Sequence, residues 1–183
     1  MKRGFTFIEL IISMFIILVL ILISVPFYSS LRGQLNLTRA AVRMAQDFRK
    51  AQELTMSAQE YYDILTGTYI IPSGGYGVCY KSWQTDPTMY YVIADYSGKD
   101  NVCNLSAQQG EIVDSVKLEK GITITSVGSG NIANIIFHAP DPEVIFAKAG
   151  GQVDSSSESV VTLSNGVNTL TVHVNKAGLV YIQ

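Results

Sequence analysis

This chain is poor in charge, in cysteine and in every residue cluster that supports catalysis. Only 15% of its 183 residues are Asp, Glu, Lys or Arg, and the formal net charge is -2. A balance that weak and that acidic argues against a phosphate-binding surface, and the C-terminal segment 175–183 carries one cation, Lys176. There are two cysteines, Cys79 and Cys103, and two histidines, His138 and His173. With no Cys-x-x-Cys spacing and the histidines far off in sequence, a zinc site is not expected. No Ser/His/Asp spacing, HExxH, phosphate-binding loop or dinucleotide fingerprint is present, so the expectation is a protein that is not an enzyme and needs no cofactor or metal. The segment around Asp95, Ser97, Gly98, Asp100 and Asn101 offers oxygen ligands near a glycine. It does not fit EF-hand spacing and reads as a turn.

What the chain does have is concentrated at its start. Lys2 and Arg3 precede Gly4, then Phe5-Thr6-Phe7-Ile8-Glu9, and an apolar run follows to Val25, interrupted only by Ser13 and Ser24 and closed by Pro26. The run is about 20 residues, the length of a membrane span. A cleavable signal peptide has a shorter apolar core and a small-residue cleavage site after it. Here the exit reads Val25-Pro26-Phe27-Tyr28, so the span should stay in the mature chain. Lys2 and Arg3 place the N-terminus in the cytoplasm and everything after Pro26 outside. Glu9 is the one charge inside the run. A carboxylate there costs about 2.5–3.5 kcal/mol on insertion scales, so a chain that keeps it has a use for it. A stray charge in an ordinary signal anchor is the plainer alternative.

Residues 4–9 resemble the N-terminus of type IV pilins and type II secretion pseudopilins, in which a short basic leader ends in glycine before Phe-Thr-x-x-Glu and an apolar helix. The resemblance implies that a prepilin peptidase cuts between Gly4 and Phe5 and methylates the new Phe5 amine. It implies that Glu9 sets subunit registration by pairing with the Phe5 amine of a neighbour, and that Pro26 bends the helix. It also implies partners: other pilins or pseudopilins in a hetero-oligomeric filament, assembly-platform membrane proteins, and the inner membrane. The physics agrees, because an amine and a carboxylate held together in hydrocarbon lower each other's burial cost, and they meet only at one axial stagger, as a buried polar residue fixes coiled-coil register.

Beyond the span, an amphipathic helix is expected from about residue 29 to 57. Leu37, Ala41, Met44, Phe48, Ala51, Thr55 and Ala58 form one stripe at steps of four and three. Arg43–Asp47 and Arg49–Glu53 are spaced to pair. The stripe should pack on the domain's own sheet. Strand patterns follow at 76–80, 89–94, 113–119, 122–127, 132–138, 159–163, 169–174 and 179–182, with Lys120-Gly121 reading as a tight hairpin. The expected fold class is α+β: one long N-terminal helix, half in the membrane and half amphipathic, packed on an antiparallel β-sheet domain. The expected segments are a leader at 1–4, a membrane and filament-core helix at 5–28, an amphipathic helix at 29–62 and a β-rich domain at 63–183. Cys79 and Cys103 fall on the extracytoplasmic side, where they either form a disulfide or stay as buried thiols.

Segment 31–58, with its Ala-x-x-x-Ala-Gln-Asp-Phe-Arg-Lys-Ala-Gln stretch at 41–52, is similar to the helix of H-type minor pseudopilins. Two departures argue against a main filament subunit: the cysteines lie mid-domain, and no acidic cluster follows Glu158 to form a C-terminal calcium loop. The expectation is therefore a structural minor pseudopilin or pilin-like subunit of a type II secretion or type IV pilus-type filament. A DNA-uptake minor pilin is one alternative. A surface adhesin is the other, using Trp83, Tyr80, Tyr90, Tyr91 and Tyr96, although sheet packing accounts for those aromatics more simply.

Overall fold

A computed structural model describes residues 6–63, 66–80, 86–96, 101–103, 111–128, 132–139 and 143–183, with the side chains of 25–30 outside that description. The chain divides into two compact units, Met1–Leu35 and Asn36–Gln183. The fold is α+β. Among the described residues a single helix, α1 (Phe7–Met56), precedes twelve strands.

In the first unit α1 is apolar and exposed, with Phe7, Phe15, Leu18 and Ile23 all more than half accessible. The helix continues through Pro26. In the second unit the same helix acquires a buried stripe. Leu37, Ala40, Ala41, Met44, Ala45, Phe48, Ala51 and Thr55 are buried, at steps of three and four, as a helix lying on a core requires. Ala58 does not join them. The helix stops at Met56, short of residue 62, because Ala58 turns to φ +47° and closes a Schellman-type end: its N–H reaches the Thr55 carbonyl, and the Gln59 N–H reaches Leu54. The Thr55 hydroxyl donates to the Ala51 carbonyl (2.9 Å) and accepts from the Tyr76 N–H (2.9 Å), tying the helix end to the sheet.

The i,i+4 ion pairs do not form. Asp47 instead accepts the Tyr90 hydroxyl at 2.5 Å, and Arg49 donates to the Val180 carbonyl at 3.1 Å. Each pair is worth only about 0.2–0.5 kcal/mol on a helix surface, so bonds to the packed sheet displace it.

The strands build two antiparallel sheets and a hairpin. The hairpin joins β1 (Tyr61–Asp63) to β2 (Thr68–Ile70). The six-stranded sheet contains β3 (Gly75–Cys79), β4 (Met89–Asp95), β5 (Ile112–Lys117), β7 (Ile132–Phe137), β8 (Val144–Lys148) and β9 (Val153–Asp154), in the order β5-β4-β3-β7-β8-β9. The four-stranded sheet contains β6 (Thr123–Val127), β10 (Glu158–Ser164), β11 (Thr169–Asn175) and β12 (Val180–Ile182), in the order β12-β11-β10-β6. Strands β5 and β6 are therefore not a hairpin. Gly121, at φ +86°, carries the chain from one sheet to the other, and β6 pairs with β10. Both sheets and the helix stripe contribute to one core, with Phe48, Tyr80, Tyr90, Phe137, Phe146, Leu163 and Val172 at its centre. At Gly75 (φ +88°) a Cβ would fall on the Phe137 carbonyl oxygen, so only glycine lets β3 pass its neighbour there.

Candidate functional site

Thr6 sits just before the first helical residue, and its carbonyl accepts the N–H groups of Glu9 (3.1 Å) and Leu10 (3.3 Å). Thr6 and Glu9 have the three-residue spacing of a capping box, and the Thr6 hydroxyl lies 3.5 Å from a Glu9 carboxylate oxygen. Glu9 is the acidic residue of the first turn, where the helix dipole favours negative charge. Its carboxylate therefore lies at the helix start and is exposed. Gly4 and Phe5 lie outside the described residues.

From Leu10 to Ile23 the helix surface is apolar except for Ser13. Over Phe7–Ser24 none of the window is buried, and it is long and apolar enough to cross a membrane. Its two hydroxyls are satisfied within the helix: Ser13 donates to the Glu9 carbonyl and Ser24 to the Leu20 carbonyl, both at 2.8 Å. Bonds of that kind let serine sit in hydrocarbon without an orphaned donor.

A model for the prokaryotic N-terminal methylation motif matches residues 1–25. The match supports a type IV pilin-like subunit. A pilin-type motif implies processing by a prepilin peptidase and assembly with other pilins, and with the apolar helix it is consistent with a membrane-anchored pilin. No curated protein and no solved structure matches the chain.

The other residues singled out in the sequence are scattered. Cys79 and Cys103 form a disulfide, with Cα atoms 6.1 Å apart. It sits with Ile93 on the face of the six-stranded sheet opposite the main core, and Tyr91 packs against it. The Asn134 side-chain amide donates to the Asn101 carbonyl at 2.7 Å, so residues 101–103 are held down at two points. Asp95 is buried and accepts the Asn101 N–H at 3.3 Å, while 97–100 lie outside the described residues. Among the described residues no three His, Cys, Asp or Glu side chains gather as a metal site. His173 stacks on Tyr181 (centroids 4.6 Å apart) and approaches Glu158 at 3.3 Å.

The aromatic surface does not exist as a set. Tyr80 and Tyr90 are fully buried, with rings 6.1 Å apart, and Trp83 lies outside the described residues. Burial and the bond to Asp47 push the Tyr90 phenol up, and burial pushes Tyr76 up to about 12. Among the described tyrosines the most exposed are Tyr62 and Tyr69, which face each other across the β1–β2 hairpin, edge to face at 5.2 Å. No motif marks them; the alternation 60, 62 and 69, 71 around a Gly67 turn was the available signal.

Proposed function

We infer that this chain is a minor pseudopilin or pilin-like structural subunit of a type II secretion or type IV pilus-type filament. It is cut between Gly4 and Phe5, methylated on Phe5, held in the inner membrane by its apolar helix, and passed to the filament by assembly-platform proteins. One observation carries the reading. The methylation motif at 1–25 overlies a helix with none of its Phe7–Ser24 window buried and with a single carboxylate, Glu9, in its first turn. Such a surface needs lipid or neighbouring helices, and the carboxylate needs a cation. The amine that cleavage exposes on an adjacent subunit supplies that cation and fixes the stagger. The chain serves as a structural part and performs no catalytic step.

Glu9 has two roles to separate, at the helix start and between subunits. Glu9→Gln keeps a side-chain acceptor in the first turn and removes the charge, and Glu9→Ala removes both. We expect both variants to insert in the membrane and both to lose most of their incorporation into filaments with other pilins. If Glu9→Gln assembles as well as wild type while Glu9→Ala does not, the carboxylate serves the helix start alone and the registration role is wrong.

A further inference from the structure

Asn165-Gly166 is the one Asn-Gly pair in the sequence, and it forms the tip of the β10–β11 hairpin, just beyond the last paired residues Ser164 and Thr169. The tip is closely bonded. The Asn165 N–H reaches the Asn168 carbonyl at 3.1 Å. The Asn165 side-chain oxygen, Oδ1, accepts the N–H groups of Val167 (2.9 Å) and Asn168 (2.7 Å). The Gly166 N–H donates to the Ser164 hydroxyl oxygen at 3.0 Å, and that hydroxyl donates in turn to the Asn168 carbonyl at 3.4 Å. Gly166 has φ +85°, and nothing lies within 4 Å of where a Cβ would stand.

These bonds assemble the parts of one reaction. Only the amide oxygen can accept two N–H groups, so the orientation of the Asn165 amide is fixed and Nδ2 is the end turned away. To reach residues 167 and 168 the side chain folds forward along the chain, which carries Cγ over the 165–166 peptide. The Gly166 nitrogen has no side chain to shield it, and its bond to Cγ would close a succinimide ring. The two N–H groups on Oδ1 stand where negative charge gathers as that ring closes, which is how an oxyanion is stabilised. A nucleophile tethered beside its target also avoids the entropy cost of meeting it. Hydrogen bonds that hold an amide away from such a ring slow the chemistry; here they hold it on the side where the ring closes.

We propose that Asn165 is a site of self-modification, at which the folded hairpin tip drives conversion of the asparagine to aspartate or isoaspartate. The Gly166 nitrogen bonds to Cγ while its proton passes by way of Ser164 Oγ to water. The Cγ–Nδ2 bond then breaks, and Nδ2 takes a proton from water and leaves as ammonia. Water opens the succinimide. Cleavage of the new N–Cγ bond gives aspartate, and cleavage of the original peptide bond gives isoaspartate, with the main chain running through Cβ. The sum is amide plus water to carboxylate plus ammonium, with no oxidant, reductant or cofactor. Aspartate keeps both N–H bonds and strengthens them with its charge, whereas isoaspartate lengthens the main chain by a methylene and breaks them. Either product sets a negative charge beside Val167, which is 88% accessible, and takes the formal net charge from -2 to one unit more negative. This chemistry is independent of the filament reading.

The test uses the purified full chain, incubated at neutral pH either folded or unfolded in urea. Trypsin releases residues 149–176, between Lys148 and Lys176, and mass spectrometry follows the exchange of the Asn165 amide for a carboxyl group. We expect the folded chain to convert Asn165 about tenfold faster than the unfolded chain, with Asn168 and Asn175 of the same peptide unchanged. Ser164→Ala should slow the folded chain about tenfold and leave the unfolded rate as it was. A denaturant melt of the variant establishes that it is folded. A folded wild-type rate equal to or below the unfolded one would overturn the proposal, because the Asn-Gly pair would then react without help from the tip. So would a folded Ser164→Ala chain that reacts at the wild-type rate. If Ser164→Ala does not fold, the wild-type comparison decides by itself.

Discussion

The two halves of α1 are both rich in apolar residues, yet they use them in opposite ways. From Phe7 to Ser24 the helix is apolar all round apart from Glu9 and two serines, and none of it is buried. From Leu37 to Thr55 the apolar residues, Val42 apart, gather in one stripe, and that stripe is buried in a core shared with two sheets. The difference teaches that hydrophobicity alone does not say where a helix belongs; its angular distribution does. A stripe can be satisfied by the chain's own domain, whereas an all-round apolar surface that its own domain leaves exposed needs lipid or other chains.

Matched truncations test this contrast most strongly. Phe48→Ala removes a fully buried ring that packs 6.4 Å from Tyr80 and should cost the domain about 3–5 kcal/mol. Phe15→Ala, at a position 68% accessible, should leave domain melting within about 0.5 kcal/mol of wild type. Equal losses from the two would break the comparison. Next in size is the disulfide. Replacing Cys79 and Cys103 with alanine frees a crosslink spanning 24 residues and should cost about 2–4 kcal/mol, read by denaturant unfolding, with no change in membrane insertion.

The smallest effect concerns the buried phenols. Their folded pKa values lie above the ordinary value of 10.0, with Tyr76 at about 12 and Tyr90 raised by burial and by Asp47. The unfolded chain therefore loses these protons first as pH rises. Stability from this source is complete below pH ~10 and falls as pH climbs toward about 12. Tyr90→Phe should cost about 1 kcal/mol at neutral pH, by removing the donor to Asp47, and should flatten that alkaline fall. An alkaline melting profile as steep as wild type would show that Tyr90 does not contribute to it.

Local signals made much of this legible in the sequence. The stripe from Leu37 to Thr55 follows from the helical period, and strands such as β11 and β10 follow from β-branched runs bounded by Asn-Gly and Ala-Gly turns. Other features depend on distant partners. Lys120-Gly121 has the chemistry of a hairpin turn, but Leu118 bonds back to Thr88 and Ile124 to Pro87, and the chain changes sheets. Strands β8 and β9 sit beyond a Pro-Asp-Pro break, and only their pairing with β7 and with each other defines them. Asp47 and Arg49 look like ion-pair partners of their helix neighbours until Tyr90 and the Val180 carbonyl arrive from the sheets. At the N-terminus the motif at 4–9 is itself the signal, because the site is a stretch of consecutive residues that needs no tertiary assembly.

The proposed function makes the exposed N-terminal half of α1 a processed, methylated filament anchor. The most direct measurement is the intact mass and N-terminal fragment spectrum of the protein purified from its native membranes. The account predicts a chain that begins at Phe5 and carries one methyl group on its amine. A chain that retains Met1, or one cut beyond Ser24, would contradict it.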